Sequence, residues 1–325
     1  MKNEIEITLV ICNYNYGKYL ERNILSFLNQ TFPPKKIIII DDGSKDESAK
    51  IIRYLDQKYD TVNGIINRDN KGLIYRMNES LKMIHTSHFI HFGADDFLII
   101  NNCLELMKNE ILKYPKAGIC SGLTIQVDKS GKFLRYIRTP ILSNISLYIP
   151  PEKVEKIVTK YGPWINSHPV IIKTHSFLKI IGQYSDSFHY TDIEAFYKIA
   201  FKQGAIFIPR ILGAYTLQDK QWSTQGFDSK ENNDNLIKML DNWSCFDEIK
   251  NISNLSSTFI ILSKYKNIKE KMIRKNFVIK YFLLFFGMIN FFLSNMNFFF
   301  YYHFSRLLNK NLAKEIKFLK EKLSR

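Results

Sequence analysis

Apolar residues along this chain fall into short unbroken runs that alternate with stretches of helical period. The run 5–15 (IEITLVICNYN) is β-rich and closes on Asn and Tyr. In 17–32, Leu20, Ile24, Leu25, Phe27 and Leu28 recur at helical spacing, which predicts a helix. A four-isoleucine strand follows at 35–44 and stops at Asp41, Asp42 and Gly43. Segment 45–59 is again helical, 61–69 reads as a short strand and 71–85 as a helix. The strand at 87–97 ends in the acidic pair Asp95–Asp96. Continuous apolar strands alternating with helices predict a parallel sheet covered on both faces. Ligands bind at the carboxyl ends of such strands. Asn13, Tyr14, Asp42 and Asp96 all fall there, so one cleft is expected to collect them.

The middle of the chain alternates shorter pieces. Residues 117–128 and 131–139 read as a hairpin around Asp-Lys-Ser-Gly. Segment 151–161 reads as a helix and 166–182 as a strand running into a helix. In 190–204 a helix carries Ile193, Phe196, Tyr197 and Ala200 on one face, with Gly204 as its stop. Segment 205–218 reads as a pair of strands. One domain is therefore expected over 1–225, in two halves at about 1–122 and about 123–225.

Beyond residue 226 the pattern changes, and 226–325 is expected to be a helical, basic and aromatic segment. Residues 281–304 hold no Lys, Arg, Asp or Glu. In 305–325, Leu308, Leu312, Ile316, Leu319 and Leu323 form an apolar stripe on a helix with seven basic residues. Three asparagines, Asn290, Asn295 and Asn297, make a clean bilayer span costly. The expectation is helices lying in or dipping into the cytoplasmic leaflet, with Lys314, Lys317 and Lys320 at anionic head groups; the alternatives are that 281–304 packs on the rest of the chain or on a second subunit, or that it spans the bilayer. Membranes that release the protein only to high salt plus mild detergent would be the sign of it.

Charge supports that division. The net charge is +15, but residues 264–325 hold 14 Lys/Arg against 3 Glu, leaving the rest of the chain near balance. A nucleic-acid face spread over the body is therefore not expected. A hydrophobic content of 46% against 24% charged excludes a disordered chain as the starting point. Cys12, Cys103, Cys120 and Cys245 lack CxxC spacing and read as free thiols in a reducing compartment. The N-terminus goes straight into a strand pattern with no signal-peptide h-region. The expected location is cytoplasmic, peripheral at the inner face of the cytoplasmic membrane.

Two motifs carry candidate chemistry. Asp-Asp-Gly-Ser at 41–44 puts a carboxylate at the ligand edge of the sheet, although the same letters also make turns and helix caps. Gly-Ala-Asp-Asp at 93–96 sets two carboxylates after a buried strand. That pair suits a hard divalent cation that takes its remaining oxygens from substrate phosphates, and also suits a solvated capping loop.

Taken together, VICNYNYGKYLERNILSFLNQTFPPKKIIIIDDGSKDES, NKGLIYRMNESL and GADD resemble the family 2 glycosyltransferases of GT-A fold, a Rossmann-like α/β architecture. The resemblance is strong over 5–115, traceable to about 225 and absent beyond. It implies that Tyr14 packs near a nucleotide base and Asp42 hydrogen-bonds it. Arg76 is implied to contact the nucleotide, Asp95 the ribose or a metal, and Asp96 to be the main ligand of Mn2+ or Mg2+. Asp192 matches the family's general base, with Glu194 as reserve. In this chain Thr191 replaces the family's Glu, Gly93 replaces the first Asp of Asp-x-Asp, and the family's late His is missing, with Lys220 in its loop. Trp164 and His168 lie where the family shapes its acceptor pocket, Trp164 as a sugar platform; His168, beside Pro169, reads first as structural.

The implied activity is inverting transfer from a nucleotide-diphosphate sugar, UDP-linked, to a glycan or lipid-linked glycan acceptor of a bacterial surface polysaccharide. Two alternatives belong to other classes. A nucleotidyltransferase of sugar activation would need a Gly-rich basic loop after the first strand, and CNYNYGKYL is not one. A non-catalytic membrane-docking protein would not need Asp42, Asp96 and Asp192 at element ends.

Overall fold

The computed structural model describes residues 4–219 apart from 138, 162–163, 166–167 and 186–190. Lys220, Cys245 and the expected C-terminal segment 226–325 lie outside the described residues. In chain order the elements are β1 (Ile7–Asn13), α1 (Gly17–Leu28), β2 (Lys36–Asp41), α2 (Ser48–Lys58), β3 (Val62–Ile66), α3 (Leu73–Leu81) and β4 (His88–Gly93). There follow β5 (Phe97–Leu98), α4 (Cys103–Lys113), β6 (Ile119–Val127), β7 (Phe133–Tyr136), β8 (Leu147–Ile149) and α5 (Pro151–Tyr161). The last described elements are β9 (Val170–Lys173), α6 (Thr174–Ile180), α7 (Thr191–Gln203) and β10 (Ala205–Thr216).

The strands form one sheet in the order β3-β2-β1-β4-β9-β6-β10-β5, with β7 on β6 and β8 on β10. β3, β2, β1 and β4 are mutually parallel, as expected of buried strands linked by helices. β6 and β10 are also parallel, whereas the short strands β5, β7, β8 and β9 pair antiparallel. β6 crosses residue 122, so the two expected halves share one sheet.

Side chains alternate strictly along the central strands. Ile7, Leu9 and Ile11 of β1 join Ile37, Ile39, Ile90 and Phe92 on the face covered by α1, α2 and α4. Val10 joins Ile38, Ile40 and Phe89 on the face covered by α3, α5, α6 and α7. Both faces are thereby sealed, and polar atoms collect at the strand ends. The described cysteines are free, Cys103 and Cys120 being buried.

One element departs from the sequence reading. Segment 205–218 is not a strand pair but a single strand, β10, with irregular register against β6 between Phe207 and Gly213. Pro209 sits in that interval. Proline has no N–H for the ladder, so it reads as a break in sequence and is absorbed here as a bulge.

Candidate active site

The carboxyl ends of β1 and β2 are stapled together. The Asn13 amide donates to Asp41 Oδ1 at 2.8 Å, and Ser44 N–H donates to Asp41 Oδ2 at 3.0 Å. The Asn15 backbone N–H donates to Ser44 Oγ at 2.8 Å, and Asn15 Oδ1 accepts from Lys45 N–H at 2.8 Å. Gly43 makes the turn possible: its φ is +75°, and a Cβ there would lie 2.8 Å from the Arg68 carbonyl oxygen. Tyr14 emerges from this staple onto the rim, 42% exposed.

Asp42 is held inside it. Its carboxylate accepts from Lys71 N–H at 2.9 Å, Gly72 N–H at 2.8 Å and Arg76 Nε–H at 2.6 Å. Arg76 also donates to Glu79 Oε2 and to the Asp69 carbonyl, both at 2.9 Å. The guanidinium is only 3% exposed, so the structure places Arg76 behind Asp42 as its buried counter-ion. Removing one partner of a buried pair strands the other charge. Arg76→Ala is therefore expected to cost about 3–5 kcal/mol of stability, read from the urea unfolding midpoint. A change within error of zero would show that the pair is dispensable.

At the end of β4 the acidic pair splits into two environments. Asp96 is 1% exposed. Its Oδ1 accepts from Thr216 N–H at 2.8 Å, and its Oδ2 lies 3.4 Å from His168 Nε2. Asp95 is the more exposed member; its Oδ2 accepts from the Gln218 amide at 3.0 Å. Arg22 and the Thr216 hydroxyl bond the Asp95 carbonyl rather than its carboxylate, at 2.7 and 2.6 Å. Burial raises the Asp95 carboxyl above its ordinary range. Burial, and then the neighbouring Asp95 charge, raises Asp96 well above it. Among the described residues neither carboxylate has a Lys or Arg ion-pair partner. Two crowded carboxylates in that condition fit a divalent cation. No three His, Cys, Asp or Glu side chains converge as a ready cage among the described residues, so the remaining ligands would come from elsewhere.

Gly93 also acquires a reason. A Cβ there would lie 2.6 Å from Asp96 Oδ2. The Asp96 carboxylate leans into the space that a side chain at 93 would fill.

Asp192 opens α7. Burial pushes its carboxyl up to about 6, against the backbone N–H bonds that pull it down, among them that of Ile193 at 2.8 Å. The loop before α7 is tied to α3 by reciprocal bonds between Asn78 and the Tyr184 backbone, at 2.7 and 3.0 Å. The Tyr184 hydroxyl meets His91 Nδ1 at 2.8 Å. Thr191, where the family has Glu, accepts from Ser185 N–H at 2.9 Å. Glu194, the reserve base, is engaged by Lys198 at 2.6 Å.

Trp164 departs from expectation. Its indole is fully buried and edge-on to Phe207, so it cannot offer a face to a sugar; the apolar core takes it because so large a side chain buries much area. His168, read first as structural, instead reaches Asp96. Sequence reasoning missed Arg22, Asn23, Thr216 and Gln218. Asn23 left a signal: it sits on the apolar face of α1 beside Ile24, fully buried. Its amide donates to the carbonyls of Gly93 and Asp96 at 2.7 and 2.9 Å.

Comparison with known proteins bears on this geometry. The model for the family described as Glycosyl transferase family 2 matches residues 8–172. An uncharacterized glycosyltransferase of Haemophilus influenzae is 34% identical over 107 residues, 33% of this chain and 42% of its own. A cholesterol galactosyltransferase of Borreliella burgdorferi is 29% identical over 123 residues, 38% of this chain and 34% of its own. The matched part thus spans less than half of these relatives' length. Among solved structures, S. aureus TarS in complex with UDP-GlcNAc aligns with a TM-score of 0.65 at 14% identity, covering 89% of this chain and 81% of its own. The mannosyltransferase PcManGT from Pyrobaculum calidifontis, in complex with GDP-Man and Mn2+, aligns with a TM-score of 0.58 at 12% identity, covering 95% and 89%. At such identities the likeness shows the fold: a mixed α/β architecture with a mostly parallel central sheet. Among the described residues no helix is long and apolar enough to cross a membrane.

Proposed function

The chain belongs to glycosyl transferase family 2, and from that membership we propose that it moves a sugar from a nucleotide-diphosphate sugar, UDP-linked, to a hydroxyl of a glycan or lipid-linked glycan, inverting the anomeric carbon. The observation that carries the reading is the Asp95–Asp96 pair at the end of β4, crowded, buried and, among the described residues, in no ion pair with a Lys or Arg, Arg22 acting on it only from beside the Asp95 carbonyl. Such a pair is costly unless a cation neutralises it.

Each part has its work. Tyr14 stands at the rim where a base would lie, and Asp42 sits just behind it on the clamp of Lys71, Gly72 and Arg76. The resemblance makes Asp96 the main ligand of a cation; with Asp96 1% exposed and Asp95 the more exposed carboxylate, Asp95 would meet the cation first and Asp96 would hold it from behind. A bound Mn2+ or Mg2+ supplies charge stabilisation for the departing diphosphate. Asp192 accepts the proton of the acceptor hydroxyl as that oxygen attacks the anomeric carbon. The new glycosidic C–O bond forms as the C–O bond to the diphosphate breaks, and the bonding pair leaves with the nucleoside diphosphate. A carboxyl with a pKa of about 6 is ionised at neutral pH and basic enough for that transfer. The TarS complexes with UDP-GlcNAc and UDP favour uracil as the base.

A thermal-shift panel of UDP-, GDP- and dTDP-sugars, run with and without Mn2+, tests the proposal. A ligand that binds only the folded state raises its apparent stability by RT ln(1 + [L]/Kd). The expected result is a shift with one or more UDP-sugars that grows with Mn2+. No shift with any nucleotide sugar would overturn the reading.

A further inference from the structure

We propose that His168 is a positioning residue: its imidazole holds the Asp96 carboxylate, and with it the Asp95–Asp96 turn, in the orientation that cation-assisted nucleotide binding requires. The inference deepens the function proposed above and rests on its cation reading.

The contact joins parts of the chain that are distant in sequence. Asp96 Oδ2 lies 3.4 Å from His168 Nε2, while Oδ1 is fixed by Thr216 N–H at 2.8 Å. The carboxylate is therefore gripped between the end of β10 and the segment that enters β9. It reaches His168 by leaning over Gly93, where any Cβ would stand 2.6 Å from that same oxygen. Glycine at 93 leaves open the volume that the Asp96 side chain uses.

His168 itself is well anchored. Its ring packs on Phe92 of β4, with centroids 4.6 Å apart. Its carbonyl accepts from the Thr124 hydroxyl of β6. Pro169, after a cis peptide bond, lies against Gly213 of β10, where a Cβ would come within 2.9 Å of Pro169 Cδ. Upstream, the Tyr197 hydroxyl of α7 accepts from Trp164 N–H at 2.8 Å and from Ile165 N–H at 3.1 Å. Trp164 and Ile165 are thus tied to the helix that opens with Asp192, and His168 meets the carboxylate pair.

The other ring nitrogen argues against simple packing. Among the described residues, His168 Nδ1 is buried without a hydrogen-bond partner. An unpaired buried polar atom costs about 1–3 kcal/mol, which an apolar side chain of similar size would not incur. What the imidazole adds over such a side chain is the Nε2 contact to Asp96. Groups that orient a metal's carboxylate ligands from behind typically change metal affinity by 10–100-fold when removed.

The experiment is calorimetric titration of UDP into the full chain at a series of Mn2+ concentrations, for wild type, His168→Ala and His168→Gln. Gln keeps an N–H donor at about the reach of Nε2. The expected result is that His168→Ala needs about 10–100-fold more Mn2+ for half-maximal enhancement of UDP binding. UDP affinity without Mn2+ should be unchanged, and Gln should return the requirement to within a few-fold of wild type. A wild-type Mn2+ requirement in His168→Ala overturns the proposal. So does an equal loss of UDP binding with and without Mn2+, which would mark local structural damage. If the Ala variant does not fold, the Gln variant decides: a requirement within a few-fold of wild type supports the role, and a 10–100-fold rise overturns it. A wild type whose UDP binding ignores Mn2+ would instead remove the cation reading of the proposed function, a result distinguishable from any of these.

Discussion

Asp95→Asn is expected to lower sugar transfer by about a thousand-fold without lowering the urea unfolding midpoint. A thousand-fold loss corresponds to about 4 kcal/mol of transition-state stabilisation, within what a metal ion contributes to a charged leaving group. The fold tolerates this change for a specific reason. Arg22 and Thr216 hold the Asp95 carbonyl, which the substitution leaves in place. The Asn side-chain oxygen can still accept from Gln218. What disappears is one negative charge facing the crevice. Asp96→Ala should behave differently, because it leaves the buried Thr216 N–H without an acceptor. That variant should lose stability by about 1–3 kcal/mol as well as activity. Turnover of Asp95→Asn equal to wild type, measured at saturating Mn2+, would sink the assignment of Asp95 to the cation.

Asp192→Asn is expected to reduce turnover by about 10²–10⁴-fold, the usual contribution of a positioned general base, with donor affinity nearly intact. The wild-type rate should rise with pH through about 6, where the Asp192 carboxyl ionises, and the variant should lose that limb. The stability effect has the opposite sign. The folded state holds this proton more tightly than the unfolded chain, whose carboxyl titrates near 3.8. Stability linked to Asp192 is therefore fully present below that value and is lost as pH rises through about 6. At pH 7.5 the Asn variant, which carries no charge to bury, should melt higher than wild type although it is nearly inactive. Equal loss of donor binding and turnover would assign Asp192 a structural role instead.

The residue cluster at the carboxyl ends of β1, β2 and β4 was legible because its signals are local. Alternating strands and helices put Asn13, Asp42 and Asp96 at the carboxyl ends of adjacent parallel strands, and β1, β2 and β4 do lie side by side. The part of the chain beyond residue 122 was less legible. Trp164 looked like a sugar platform, since an aromatic residue in a polar stretch reads the same whether it faces solvent or the core. The pairing of Arg76 with Asp42 was not legible, because a guanidinium on a helix gives no sign that a buried carboxylate waits for it. Segment 205–218 read as a pair of strands, because only the neighbouring strand shows that one irregular strand runs through it.

What the sequence determined by itself was therefore periodicity and the chemistry at element ends. These follow from side-chain direction along a strand or helix, which each segment sets for itself: Ile7, Leu9 and Ile11 on one face and Val10 on the other need no knowledge of their partners. What only the tertiary structure decided was which distant groups meet: Arg76 with Asp42, Gln218 with Asp95, and His168 with Asp96 across the vacant space at Gly93. Those contacts arise where strands from separate parts of the chain enter one sheet and bring their loops to a common edge. Their strength depends on burial and distance, and neither is a property of any single segment.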